Sequence, residues 1–366
     1  MIGYIEIEGF KSIKKMQLTL SPINILIGSN GSGKSNFVSF FKMVNAISNQ
    51  KFQQFVAEEK TDNLLHFGRK NTEKLEGKLI FKDSYDTNVN NAYYFDLMPT
   101  KENGLFFATE ASGYNVDRDA KSQNYFSHHF VRESGILNST FTRDIYLKTY
   151  FSDIKIFHFH DTSPTSYLRR ECDINDNIYF KPDGRNLPAF LYLLKVNHPK
   201  TYTRIEKTIQ TVAPYIDKLI LEPKLLNTNE IELRWVDIGD SESSFSAYQL
   251  SDGTLRFIAL TVLLMQPNPP SVIIIDEPEL GLHPFAIGKL AGMIQAASKQ
   301  TQIIVATQSP GLVNHFLPED IIIVDRDIEE KQSIFKRLTS NDLASWLEDY
   351  SLGNLWERNI INGAQP

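Results

Sequence analysis

The chain has 366 residues, 42% of them hydrophobic, which is enough for a real core in two domains or in one domain with a large insert. Its 38 basic and 44 acidic residues give a formal charge of -6, which excludes a global electrostatic drive toward nucleic acid or an anionic membrane and leaves only local basic patches for such contacts. The single cysteine, Cys172, excludes an intrachain disulfide, and with neither a signal peptide nor an apolar run long enough to span a bilayer, a cytoplasmic protein without membrane contact is expected.

Tyr4 to Glu8 alternates Ile5 and Ile7 with Glu6 and Glu8, the pattern of a strand with one buried and one wet face. Gly9-Phe10-Lys11-Ser12 then turns the chain. Its place ahead of the next strand fits either a contact of Phe10, Lys11 or Ser12 with a nucleotide base or a plain strand-to-strand turn. Ser21 to Ile27 is a short apolar run suited to a strand covered on both faces. It leads into Gly28-Ser29-Asn30-Gly31-Ser32-Gly33-Lys34-Ser35, after which Phe37, Phe40, Phe41, Val44 and Ile47 repeat at helical steps to give one apolar stripe. Glycine, four residues, then Gly-Lys-Ser, set between a buried strand and a helix, is the pattern of a P-loop. The glycines let backbone N–H groups turn toward phosphates, and the helix start adds partial positive charge. Lys34 would reach the β- and γ-phosphates of a nucleoside triphosphate, and the Ser35 hydroxyl would hold Mg2+.

From Leu75 to about Asn115 short β-rich runs, Gly77 to Lys82, Ala92 to Met98 and Gly104 to Ala108, alternate with turn residues and predict antiparallel sheet. Asp117 to Asn138 is polar and reads as surface loop, its His128-His129 pair lacking any ligand pattern. Lys155 to His160 predicts a strand with His158 and His160 on one face, ending in Asp161-Thr162-Ser163. With Cys172 these residues lack the pair-plus-pair spacing of a closed zinc site, and a non-metal role is preferred. Helices are predicted over Leu187 to Val196 and Tyr202 to Tyr215, then strands over Lys218 to Glu222 and Glu230 to Asp237. No heptad run, internal repeat or low-complexity tract occurs.

Three motifs occupy the last third. Gln249-Leu250-Ser251-Asp252-Gly253-Thr254 opens the apolar helical run Leu255 to Leu264. Ser251 and Asp252 serve there either as an ordinary helix cap or, with the N–H groups around Gly253, as a second anion site for a γ-phosphate. Val272 to Ile275 is a run of β-branched residues, an interior parallel strand, ending in Asp276-Glu277-Pro278-Glu279. Two carboxylates at such a strand end are unfavourable without a cation or a partner: either this is an ordinary acidic turn, or Asp276 would support Mg2+ beside Ser35 and Glu277 would accept a proton from attacking water. Gln302 to Thr307 is another buried strand, ending in Gln308-Ser309-Pro310, where Gln308 can hydrogen-bond both water and γ-phosphate.

GSNGSGKS, LSDGT, IIIDEPELGLHP and ATQSP, in that order, resemble the ATP-binding-cassette-type AAA ATPases of the SMC and RecF-like group. The likeness is closest to compact ATPases of bacterial genome defence and repair, including the ATPase part of OLD-family nucleases. The resemblance implies an α/β P-loop NTPase fold: an ABC-type ATPase head with a mixed β-sheet, an inserted α+β region and no long coiled coil. Residues 1–74 and 246–366 would form the core, and 75–245 a β-rich then helical insert or lid. It implies that Gly28 to Ser35 is the Walker A loop and Leu250 to Thr254 the signature. Asp276 and Glu277 become the Walker B pair, Gly281-Leu282-His283 the D-loop, and ATP and Mg2+ the cofactors. It further implies a head-to-tail homodimer in which Ser251, Asp252 and Gly253 of one protomer complete the site begun by Lys34 of the other. Three departures stand out: Asp252 replaces a second signature glycine, Gln308 replaces a frequent histidine, and no Q-loop glutamine is evident. The end of the Lys155 to His160 strand is its expected equivalent, with His160 or Asp161 near metal and water. Only Gly311 to Pro366 follows the last motif, room for two strands and two short helices packed by Trp346 and Trp356 but not for a nuclease domain. The expected activity is ATP hydrolysis by a dimer, with Glu277, Gln308 and Lys34 catalytic, coupled to DNA or to a companion effector protein. The alternatives are a nucleotide-gated scaffold and a RecF-like DNA-repair clamp.

Overall fold

The computed structural model describes residues 1–82, 90–114 and 125–361. β1 (Ile2–Phe10), β2 (Ile13–Thr19) and β3 (Ile23–Ile27) lead into the glycine-rich loop and α1 (Lys34–Ser48). α2 (Phe52–Glu59) and α3 (Thr61–Leu64) precede four strands, β4 (Leu75–Lys82), β5 (Asn90–Pro99), β6 (Leu105–Tyr114) and β7 (Tyr125–Val131). α4 (Thr142–Ser152) and β8 (Ile154–Phe157) follow, then β9 (Cys172–Asp173), α5 (Leu187–Asn197) and α6 (Pro199–Val212). Four short strands come next, β10 (Ile216–Ile220), β11 (Glu230–Ile231), β12 (Arg234–Asp237) and β13 (Asp240–Ser246). The last third runs α7 (Asp252–Met265), β14 (Val272–Asp276), α8 (Pro284–Ala297), β15 (Gln302–Thr307) and α9 (Pro310–Val313). β16 (Ile321–Asp327), β17 (Gln332–Arg337), α10 (Ser340–Leu343) and α11 (Leu352–Glu357) close it.

Two six-stranded sheets carry the fold. The first, in the order β2-β1-β4-β5-β6-β7, is antiparallel throughout. The second, β17-β16-β3-β15-β14-β8, is parallel except where β17 returns along β16. β3 thus lies inside the second sheet, which is why its run is apolar on both sides. Because side chains alternate across a strand, Ile25 and Ile27 enter one core and Leu26 the other. The Leu26 side holds α1 between the two sheets: Phe37, Phe40, Phe41, Val44 and Ile47 meet Ile5 and Ile7 of β1, Phe95 of β5 and Ile274 of β14. Phe40 packs edge-on to Phe10 at 5.7 Å and stacks on Phe95 at 6.1 Å. Each such buried ring stabilises the fold by roughly 1.5–3 kcal/mol. The other side is covered by α7 and α8 through Leu255, Phe257, Leu260, Leu290 and Ile294. The buried Gln302 ties the two sheets: its Oε1 accepts from Ile2 N at 2.9 Å, and its Nε2 donates to Ile2 O at 2.8 Å and Ser21 O at 3.0 Å.

Several expectations are corrected. The stretch read as a surface loop contains β7, which pairs with β6 and places His129 opposite Thr109, although residues 115–124 lie outside the described residues. Polarity misled there because β7 is an edge strand. The strand expected to reach His160 stops at Phe157, since His158 N donates instead to Pro182 O at 3.0 Å. The single strand expected over Glu230 to Asp237 is two, β11 pairing with β9 and β12 with β10 and β13. Trp356 is buried in the closing subdomain as expected, but Trp346 is 43% exposed and only flanks Tyr350. The longest helix among the described residues, α1, has 15 residues, so no coiled-coil arm leaves them. None of their helices is long and apolar enough to cross a membrane.

Candidate nucleotide-binding site

In an open α/β sheet the carboxyl ends of parallel strands gather at one edge, where ligands bind. β3, β14 and β15 end there at Ile27, Asp276 and Thr307. After β3 the loop needs left-handed backbone at Gly31 (φ 77°) and Gly33 (φ 121°), and α1 starts with no side-chain cap, so its first N–H groups stay unclaimed by side chains. Gly28 is required for a different reason: a Cβ there would come within 2.0 Å of Val324 O on β16. Beneath the loop Ser333 Oγ donates to Ser32 O at 2.5 Å and meets Ser12 Oγ at 2.7 Å, while Asn36 Nδ2 donates to Ser12 Oγ at 2.7 Å. The early turn therefore supports the loop from below. Of its residues, Phe10 is buried against Phe40, and Lys11 pairs with Glu59 at 2.9 Å.

Lys34 curls back so that Nζ donates to Gly28 O at 2.7 Å and Ser29 O at 3.0 Å. Burial lowers its pKa, and the carboxylates of Glu277, Asp276 and Glu279 oppose that shift. Asp276, at the end of β14, has its carboxyl pKa raised, chiefly by burial. Glu277 adopts φ 42°, a left-handed conformation that costs roughly 1–3 kcal/mol in a non-glycine residue. Its N–H donates to Ala306 O at 2.7 Å, and Gln308 Nε2 donates to its Oε1. Glu279 accepts from Thr307 Oγ1 at 2.5 Å and Gln308 N at 3.2 Å through one oxygen. Its other oxygen is buried with no partner among the described residues, and burial raises the pKa of Glu279. His160 Nε2 lies 2.6 Å from Asp276 O, so this histidine flanks the strand end, whereas the exposed Asp161 turns to Ser163 N at 3.0 Å. Ser35 is exposed at the start of α1.

The signature residues are elsewhere. Ser251 caps α7, accepting from Thr254 N at 3.2 Å, so the ordinary cap is present. Gly253 packs so tightly on Gly281 O that an added Cβ would sit 2.4 Å from it. Asp252 is bonded to Arg169 at 2.6 Å. Among the described residues no hydrogen bond or ion pair joins residues 250–254 to residues 28–35, and α7 and α1 cover opposite faces of the second sheet. The structure thus brings together Lys34, Asp276, Glu277 and Gln308, adds Glu279 and His160, and leaves Ser251, Asp252 and Gly253 apart.

Sequence reasoning missed two buried arginines. Arg256 donates from Nε to Phe159 O at 2.8 Å, from Nη2 to His160 O at 3.0 Å and from Nη1 to Leu280 O, joining α7 to both segments beside Asp276. A lone cation in the apolar run Leu255 to Leu264 was a signal that something polar must meet it. Arg169 carried no such signal.

A family profile described as "AAA domain, putative AbiEii toxin, Type IV TA system" matches residues 23–314. The chain belongs to this AAA family. Among solved structures, the AAA chain is similar to an SMC head bound to the C-terminal winged-helix domain of ScpA, with a TM-score of 0.60 at 18% identity over 94% of this chain and 99% of that one. It is also similar to an SMC head with an extended coiled coil, bound to the C-terminal domain of ScpA and derived from Pyrococcus furiosus, at TM-score 0.58 and 15% identity over 95% and 98%. A comparison with curated proteins finds no match. These findings establish an SMC-head-like AAA ATPase fold. The donor set of the AAA chain fits a metal-bound nucleotide. A cation at Lys34 faces three carboxylates, the buried Ser32 hydroxyl has no partner among the described residues, and the space around Gly31 is open. Among the described residues no cluster of three or more His, Cys, Asp or Glu forms a metal site by itself.

Proposed function

We propose that this AAA protein is an Mg2+-dependent ATP hydrolase that dimerises head-to-tail on ATP and passes the closure to DNA or to a companion effector protein, in bacterial genome defence or repair. The observation that carries this reading is the gathering of Lys34, Asp276, Glu277 and Gln308 at one sheet edge while the Ser251 helix end touches none of them. One chain then holds half a site, and a second copy supplies the other half.

The loop from Gly28 to Ser35 wraps the phosphates, Lys34 exchanging the carbonyls of Gly28 and Ser29 for phosphate oxygens. Ser35 and Asp276 would hold Mg2+, which when bound offsets charge on the β- and γ-phosphates. Glu277 accepts the proton of the attacking water, and its strained backbone is pinned by Ala306 so that the carboxylate keeps one direction. Gln308 touches that carboxylate and orients water as a neutral group; unlike a histidine it cannot become a cation, which points to slow turnover. Because the γ-phosphate contact exists only before hydrolysis, closure is coupled to the nucleotide state.

Sizing chromatography and phosphate release test the reading together. The wild type is expected to form an ATP-dependent dimer and to hydrolyse ATP. Glu277→Gln is expected to keep the dimer and lose turnover, and Ser251→Arg to remain a folded monomer with ATP. A normal ATP-dependent dimer of Ser251→Arg would refute the shared site.

A further inference from the structure

Asp252 brings a carboxylate to the first turn of α7, the helix end that the sandwich reading assigns to a phosphate. Two anions at one helix N-terminus repel, so a signature with aspartate in this position needs a counter-charge. Arg169 supplies it. This residue ends a short 3-10 turn, Tyr167–Arg169, in the connection between β8 and β9, and its side chain is only 6% exposed. The guanidinium makes four bonds: Nε to Thr162 O at 2.8 Å, Nη1 to Ala247 O at 2.6 Å and Leu250 O at 3.1 Å, and Nη2 to Asp252 Oδ1 at 2.6 Å. Three of these partners are neutral carbonyls, so Asp252 is the charge that balances the buried cation. The carbonyls also fix the planar group in place, which separates this pair from a loose surface contact. Asp252 itself remains 64% exposed, open to whatever meets the helix end.

We infer that Arg169 is a positioning residue of the signature loop, cancelling the charge of Asp252 so that the helix end from Ser251 to Gly253 accepts the γ-phosphate of a nucleotide held by a second copy. The inference rests on the head-to-tail reading above. The same side chain joins two regions. Thr162 follows His160, which meets the Asp276 carbonyl, so Arg169 ties the loop facing the partner to the edge of the chain's own site.

The test is a charge-rescue series in the full chain carrying Glu277→Gln, so that bound ATP persists, with dimerisation followed by sedimentation velocity against ATP concentration. Arg169→Met removes the guanidinium bonded to Asp252, leaving only the more distant Arg256 to offset its charge, and is expected to raise the ATP needed for half-dimerisation at least ~10-fold. Asp252→Gly is measured alone as the baseline of the cycle, with no outcome assigned to it in advance. The double variant should lie within ~3-fold of Asp252→Gly, because once the carboxylate is gone the cation is no longer needed. A merely structural arginine gives the opposite result, since the carbonyls of Thr162, Ala247 and Leu250 stay unpaired in the double variant. A double variant no better than Arg169→Met, or an Arg169→Met that dimerises like the parent, overturns the inference. A parent that stays monomeric at saturating ATP overturns the sandwich reading itself, before any variant is compared. If Arg169→Met does not fold, Arg169→Lys replaces it: dimerisation within ~10-fold of the parent supports charge cancellation, and a greater loss overturns it.

Discussion

Lys34 is the side chain on which the proposed nucleotide site most depends. Its ammonium is desolvated, which lowers its pKa against the opposing pull of Glu277, Asp276 and Glu279, and among the described residues it is bonded to two carbonyls of its own loop. Lys34→Ala removes the group that would exchange those carbonyls for phosphates. ATP affinity, read by calorimetry, is expected to fall at least ~30-fold, the usual cost of truncating one partner of a buried charge contact. His158 has a different consequence. Burial, helped by Lys42 and His160, pushes its pKa down to about 4 from an ordinary 6.5. The folded state therefore binds this proton less readily than the unfolded chain, and stability present above pH 6.5 is lost as pH falls toward 4. His158→Phe should shrink the drop in melting temperature between pH 7 and pH 5, measured by differential scanning fluorimetry; an unchanged drop would assign that sensitivity to other groups.

At the scale of elements, α7 is held by a buried clamp rather than by packing alone. Arg256→Met would leave the carbonyls of Phe159, His160 and Leu280 without donors, and a loss of about 3 kcal/mol is expected in urea unfolding, consistent with roughly 1–3 kcal/mol per unsatisfied buried group. Gly28→Ala should cost a similar amount, about 2–3 kcal/mol, because the added methyl would collide with β16 backbone that cannot give way. These clamps also mark the limit of what the sequence disclosed. β3, α1, β14 and β15 were legible because their apolar periods are unambiguous and their ends carry motif residues. β7 was not, because an edge strand needs only one apolar side and its polar residues look like loop. Within the site, Lys34, Asp276, Glu277 and Gln308 could be named from spacing alone, since each follows a strand whose end is predictable. Arg169 could not, because its partners are carbonyls brought together only by tertiary structure. Glu279 was visible as a residue, but its orphaned buried oxygen is a property of packing, not of pattern.

Across the whole molecule the proposed sandwich makes stability depend on concentration. If ATP links two copies, the melting temperature of Glu277→Gln with ATP should rise with protein concentration by mass action, while the ADP form should melt at one temperature regardless of concentration. A concentration-independent melting point with ATP would argue for binding without assembly. The strand order carries a further consequence for how the protein is made. β3 sits between β16 and β15, and Gln302 closes the join to Ile2, so the walls of the Lys34 loop come from opposite ends of the chain. During synthesis the loop emerges early and waits roughly half a minute, at ~10 residues per second, for the strands that flank it. A nascent chain therefore holds the glycine loop before Asp276, Glu277 and Ser251 have been made. If two copies pair on ATP as proposed, that pairing waits until β14 and β15 are in place, which would keep neighbouring chains on one messenger from locking together half-made.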